Sequence, residues 1–195
     1  MFASKADADV AAGAHPLPFC KPVSSREEGE AVVAVLADAA AVVYTDGGCT
    51  RNGRAGATAT VGVFWGTHSD PRNVSRRARG AQTNNVAELE GIEAALDGVL
   101  GDAALLAAPV VVISDSSYSI NCLTKWYAGF VARGWKVTGA RDDVKNRDLL
   151  ERVHAKLKAA PLVRLLHCRG HQGIPGNEAA DALASAAFTV AAAAP

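Results

Sequence analysis

AVVYTDGG, residues 41–48, runs from apolar, β-branched and aromatic side chains into Asp46 and two glycines, the pattern of a buried strand that ends in a Gly-rich turn. After it, AGATATVGVFWG, residues 55–66, mixes β-branched with small residues as a second strand, and RNVSRRARG, residues 72–80, reads as a third, half-exposed one. Together they form a meander. The period then changes: in TNNVAELEGIEAALDGVLG, residues 83–101, Val86, Leu89, Ile92, Leu96 and Val99 share one helical face behind Thr83 or Asn84 as N-cap. PVVVISD, residues 109–115, is a continuous apolar run suited to a central parallel strand covered on both sides. Further on come a helical stretch over residues 116–128, a basic aromatic segment, and a helix from about Asn146 to Ala159. The strand LVRLLHCRG, residues 162–170, precedes a last helix in IPGNEAADALASAAF, residues 174–188, opened by Pro175. The order β-β-β-α-β-α-α-β-α predicts an α/β fold: a five-stranded mixed sheet, three strands antiparallel and then parallel ones, flanked by helices.

The 195 residues, 49% of them hydrophobic, suffice for one sizeable core. The expected organisation is an Ala-rich N-terminal extension over residues 1–40, largely disordered apart from a short helix in EEGEAVVAVLADAA, then a catalytic domain over 41–188 and a tail over 189–195. Gly, Asp or Arg interrupts every apolar run before it reaches the roughly 20 residues that cross a bilayer, so no membrane association is expected. The N-terminus lacks a basic region followed by an apolar one. Cys20, Cys49, Cys122 and Cys168 are too scattered for a metal knuckle or a disulfide scaffold, which predicts free thiols in an intracellular, reducing compartment. Lys plus Arg (20) balances Asp plus Glu (20), yet Arg72, Arg76, Arg77 and Arg79 cluster in one segment and Lys125, Arg133, Lys136, Arg141, Lys145 and Arg147 in another. These are two basic faces suited to phosphates.

Asp46 falls at the end of the first strand, Glu88 early in the first long helix, Asp115 at the end of the buried strand, and Asp181 in the final helix. Functional groups of open α/β sheets collect at the carboxyl ends of central strands. Singly, each of these acids reads better as a turn former, a cap or a solvated group. Gathered in one pocket, they would repel one another unless a hard cation neutralised them, and oxygen ligands with open water positions suit Mg²⁺.

The segments YTDGG, TNNVAELEGIEAAL, VVISDSSYSIN and RGHQGIPGNEAADALA, in this order, closely resemble the type 1 ribonuclease H family, and the resemblance runs from about Val42 to Ala187. It implies a ribonuclease H-like fold and a monomeric endonuclease that cuts the RNA strand of RNA–DNA hybrids with two Mg²⁺ ions, Mn²⁺ being a substitute. The products it implies carry 3′-hydroxyl and 5′-phosphate ends. The family's catalytic and metal-binding quartet maps onto Asp46, Glu88, Asp115 and Asp181, and its flexible-loop histidine onto His171, whose Gly-flanked loop suits proton shuttling or product release.

Reading RNA requires contacts to the 2′-hydroxyl. The resemblance implies RNA-strand contacts at Cys49, Asn52, Asn84, Asn85 and Ser117, and at Asn177, which also reads as the cap of the last helix. Asn52 alone reads as a turn residue of RNGRAG. DNA-strand contacts are implied at Thr83, Tyr118, Trp126, Phe130, Thr138 and Asn146. The segment KWYAGFVARGWKVTGARDDVKNR, residues 125–147, resembles the family's basic protrusion, its aromatics suited to sugars and its cations to phosphates. Trp135 reads equally well as part of a small core beneath that protrusion.

One departure stands out. The phosphate-pocket Arg expected two residues before Thr83 is Ala81, and Arg79 would replace it only from about 7 Å away along an extended strand. No hybrid-binding module is recognised in residues 1–40, which predicts low processivity. Rival readings keep the fold but act as an integrase, resolvase or exonuclease, or bind hybrid without cutting. The set of 2′-hydroxyl readers and the GHQGIPGNEAAD stretch disfavour the first, and the complete set of four acids disfavours the second.

Overall fold

The computed structural model describes residues 26–137 and 142–192. Its elements are α1 Arg26–Ala37, β1 Ala41–Thr50, β2 Thr58–Phe64, β3 Val74–Arg77, α2 Asn84–Leu100, α3 Ala103–Leu106, β4 Val110–Ser114, α4 Ser117–Leu123, α5 Tyr127–Ala132, α6 Arg147–Ala159, β5 Val163–His167 and α7 Pro175–Ala192. The strands form one five-stranded sheet in the order β3-β2-β1-β4-β5. β1, β2 and β3 pair antiparallel, while β4 runs parallel to both β1 and β5. This is the mixed sheet that the hydrophobic pattern predicts.

Side chains of a strand alternate between faces, and the apolar runs of β1 and β4 divide accordingly. Val43, Val110 and Val112 join one core with Val61 and Val63 of β2, beneath Leu89, Ile92 and Leu96 of α2 and Leu150 and Val153 of α6. Val42, Tyr44, Val111 and Ile113 face the other way and pack with Phe64 beneath Val32 and Leu36 of α1 and Ala179 and Ala180 of α7. The short helix expected in EEGEAVVAVLADAA is therefore α1, and it closes the second core; the disorder expected of the rest of the extension concerns residues outside those described. α7 lies at backbone distance from β2, since a Cβ on Gly62 would sit 2.0 Å from Ala180 O. None of the described helices is long and apolar enough to cross a membrane. Cys49, Cys122 and Cys168 are free thiols.

Three expectations change. β1 does not turn at Gly47 and Gly48 but continues to Thr50, because Gly47, Gly48 and Cys49 keep their ladder with Val61, Thr60 and Ala59 of β2. The single helix expected over residues 116–128 is two, α4 and α5. Thr124 leaves helical geometry (φ −118°, ψ −80°), and its hydroxyl donates to Ile120 O at 2.7 Å, a side-chain bond that competes with continued helix. Finally, β3 stops at Arg77, so Arg79 and Ala81 lie in a loop and not on an extended strand.

Candidate active site

Strand register sets the first two carboxylates side by side. β1 and β4 pair in parallel up to Thr45 opposite Ser114, so the next residues, Asp46 and Asp115, emerge together at the end of β4. Asp46 is thus in the middle of β1 yet at the carboxyl end of the parallel half of the sheet. Gly47 brings in the third. A Cβ there would lie 2.4 Å from Glu88 N, so only glycine lets the first turns of α2 rest on the β1 backbone. Thr83 caps that helix, its hydroxyl accepting from Val86 N–H, as the sequence predicts.

Asp46, Glu88 and Asp115 each offer an oxygen within 4.8 Å of the others. Asp46 is 8% and Glu88 5% exposed, and Glu88 Oε2 is buried without a hydrogen-bond partner. Burial first, then the charges of Asp115 and Asp181, push the Asp46 carboxyl up to about 7, against the pull of Gly47 N–H and His171. Burial and then Asp46 and Asp115 push Glu88 well above the carboxylate range, with Asn84 and Gly47 N–H opposing. Asp181 lies near enough to act on Asp46 but outside the close triad; its Oδ1 accepts from Ser185 Oγ at 3.5 Å. His171 is exposed, with φ 53°, in the loop that follows β5.

Three oxygens that repel one another, one of them orphaned and buried, form a donor set that a hard divalent cation would complete. A pH prediction follows. Asp46 holds its proton in the folded chain to about pH 7, whereas the unfolded chain sheds it from about pH 4 upward, so without metal its contribution to stability falls across that window, and the raised Glu88 acts in the same direction. Thermal unfolding in EDTA should lose on the order of 2–4 kcal/mol across that window, roughly 5–12 °C. Asp46→Asn should flatten the loss. Mg²⁺ should raise the midpoint more near pH 8 than near pH 5, since it binds the deprotonated site; an equal rise at both would contradict the coupling.

Several residues expected to touch RNA do gather beside the triad. Asn52 Oδ1 accepts from Asn84 N–H at 3.2 Å, and Asn84 Nδ2 donates to Glu88 Oε1 at 3.4 Å. Cys49 Sγ lies 3.6 Å from Gln82 O, and Asn85 and Ser117 are exposed at the starts of α2 and α4. Asn177 is different: it is 2% exposed, its Oδ1 accepts from Cys168 Sγ at 3.3 Å, and α7 begins two residues before it. It is therefore not the cap of that helix.

Farther out, Tyr118 and the exposed Trp126 meet edge to face at 6.3 Å, with Phe130 half-buried nearby in the same groove. Trp135 is buried against Tyr127 and Phe130, which settles its place in the small core. Thr138 lies outside the described residues. Asn146, left-handed at φ 60°, precedes α6 and lines a cleft of about 660 Å³ between α2 and α6 that Arg79 also lines.

Of the basic segment 72–79, Arg72 is held by Asp70 and stacked on Trp65, and Arg76 is paired with Glu90 at 2.6 Å. Glu90 was not a sequence candidate; on a helix it passes for a solvated acid. Burial alone would raise its carboxyl, but bonds from Arg79 N–H, Arg76 and Gly80 N–H outweigh it and hold Glu90 below the usual range.

Comparison with known proteins fits this geometry. The family model RNase H matches residues 38–189. The chain is 35% identical over 174 residues to Ribonuclease H1 of Mus musculus, covering 86% of this chain and 59% of the relative. It is 42% identical over 144 residues to Ribonuclease H of Schizosaccharomyces pombe, covering 73% and 51%. The chain thus spans between half and three-fifths of the length of these curated relatives. In fold it matches LC11-RNase H1 in complex with RNA/DNA hybrid, from compost metagenomic material, with TM-score 0.54 and 24% identity over 78% of this chain and 99% of that one.

Proposed function

The chain belongs to the ribonuclease H family, and on that premise we propose that it is an endonuclease hydrolysing the RNA strand of RNA–DNA hybrids, leaving 3′-hydroxyl and 5′-phosphate ends. The observation that carries this reading is the triad of Asp46, Glu88 and Asp115 oxygens within 4.8 Å of one another, with Glu88 Oε2 buried and unpartnered. Asp46, Glu88 and Asp115, with Asp181 at the rim, would hold two Mg²⁺ ions, Mn²⁺ serving as a substitute. When bound, such ions make a bound water a nucleophile and stabilise both oxygens of an in-line displacement at phosphorus.

The rest falls to the chain's own groups. Asn52 and Asn84, joined by a hydrogen bond, present amides beside Glu88 where a 2′-hydroxyl would be read, with Cys49, Asn85 and Ser117 flanking them. Asn177, buried in α7, accepts from Cys168 Sγ and so ties the start of that helix to the residue after β5. His171, on its exposed loop, moves a proton at the rim of the carboxylate site. Thr83 and Asn146 on one side, and Tyr118, Trp126 and Phe130 on the other, receive the DNA strand. The protein acts as a monomer in a reducing intracellular compartment, in keeping with its free thiols.

The test incubates the protein with labelled RNA–DNA hybrid, double-stranded RNA and double-stranded DNA, with Mg²⁺ or EDTA. Cleavage confined to the RNA of the hybrid and abolished by EDTA is expected. Equal cutting of double-stranded RNA would overturn the specificity, and cutting in EDTA the metal dependence.

A further inference from the structure

We infer that Glu90 is a positioning residue for substrate grip: its buried carboxylate fixes the loop that follows β3 so that Arg79 is presented into the cleft between α2 and α6, where Ala81 contributes no charge. The inference rests on the functional reading above, since the cleft's ligand would be a backbone phosphate of the hybrid. Glu90 is 3% exposed, and all its partners come from the 76–80 segment. Arg76 Nη1 donates to Oε2 at 2.6 Å, Arg79 N–H to both oxygens at 2.9 and 3.0 Å, and Gly80 N–H to Oε1 at 2.8 Å. A buried carboxylate that collects two backbone N–H groups and a guanidinium is costly to leave half-made, so it specifies one loop conformation.

Charge in the cleft is largely committed elsewhere. Glu93 takes Arg152 at 3.3 Å and Lys156 at 3.1 Å, Asp97 takes Lys156 at 2.6 Å, and Arg147 pairs with Glu151 at 3.0 Å. Arg79 has no carboxylate within ion-pair distance of its guanidinium among the described residues, and it shares the cleft with Asn146. Its side chain is the cation left to meet a phosphate, and Glu90 holds its backbone. Glu90 also sits on α2 two residues after Glu88, so the loop that grips and the helix that carries a catalytic acid are tied together at one point.

Hybrid binding is measured in an Asp115→Asn background that leaves the substrate uncut, alongside KM and kcat with otherwise wild-type sequence, for Glu90→Ala, Glu90→Gln, Arg79→Ala and the double variant Glu90→Ala with Arg79→Ala. Loss of one phosphate contact predicts Kd and KM raised about five- to tenfold in Glu90→Ala and in Arg79→Ala, and a salt slope lowered by about 1. kcat should stay within about twofold, as the triad is untouched. Glu90→Gln, which keeps one acceptor oxygen for the loop N–H groups, should recover part of the affinity, and it serves if Glu90→Ala does not fold. The double variant should bind no worse than the worse single one, because Glu90 acts through Arg79.

Additive losses, or unchanged Kd in both Glu90 variants with Arg79→Ala weakened, would overturn the inference. So would a fall in kcat and Tm with Kd unchanged, the mark of a merely structural carboxylate. A parent protein that cuts hybrid while these variants match it disposes of Glu90 and Arg79 alone. A parent that neither binds nor cuts hybrid removes the functional reading itself.

Discussion

Asp115→Asn is expected to lower hybrid cleavage by at least about 10³-fold, the rate equivalent of losing several kcal/mol of charge stabilisation at the reacting phosphate. The substitution is nearly isosteric and Asp115 is only half-buried, so the fold should survive it. The stronger part of the prediction concerns stability. In the metal-free protein the Asp115 charge helps to raise both Asp46 and Glu88. Removing it should lower the Asp46 pKa from about 7 toward the ordinary carboxylate value, and make the EDTA-treated protein more stable at neutral pH, by about 1 kcal/mol. A dead enzyme that melts higher than its parent is the signature of like charges held together for function. Carboxyl titration by NMR and thermal unfolding in EDTA read both effects. Retention of more than a tenth of the activity, or a lower melting point in EDTA, would remove Asp115 from the metal site.

Much of this site is written in short-range pattern. The apolar runs at 42–44 and 110–113 read as strands buried on both faces, and two such strands in parallel bring the residues after them, Asp46 and Asp115, to one edge. Thr83 is recognisable as a cap from its place before an amphipathic stretch. What escaped the sequence depends on partners far along the chain. Gly47 and Gly48 look like a turn until Val61 and Thr60 are known to lie opposite them. Glu90 looks solvated until Arg76 and the N–H groups of Arg79 and Gly80 fold over it. Trp135 was undecidable, because whether an aromatic residue lies in a groove or beneath it turns on the packing of Tyr127 and Phe130. The distinction between Asp181 and the other three acids is likewise one of distance, which motif order does not carry.

Gly47→Ala is the second large effect, and it isolates helix placement from side-chain chemistry. The added methyl would lie 2.4 Å from Glu88 N, 2.8 Å from Ala87 C and 2.9 Å from Glu88 Cα, all backbone atoms, so no rotamer change relieves the clash. Either β1 or the start of α2 must move. α2 is pinned on its far side by Leu89, Ile92 and Leu96 in the larger core, so the strain is shared between core and site. A loss on the order of 3 kcal/mol is expected, lowering Tm by about 6–12 °C. Because the displaced backbone carries Glu88 away from Asp46 and Asp115, cleavage should fall by about 10²-fold at temperatures where the variant is fully folded, with no acid altered. Gly91→Ala is the comparison. On the same helix its methyl would lie 3.3 Å from Thr45 Cβ and at ordinary contact, 3.6 and 3.8 Å, from the Asp46 O and N atoms, and alanine favours helix, so stability should change by no more than about 1 kcal/mol and activity little. Equal behaviour of the two variants, or full activity in folded Gly47→Ala, would mean that the approach of α2 to β1 at Gly47 does not set the position of Glu88.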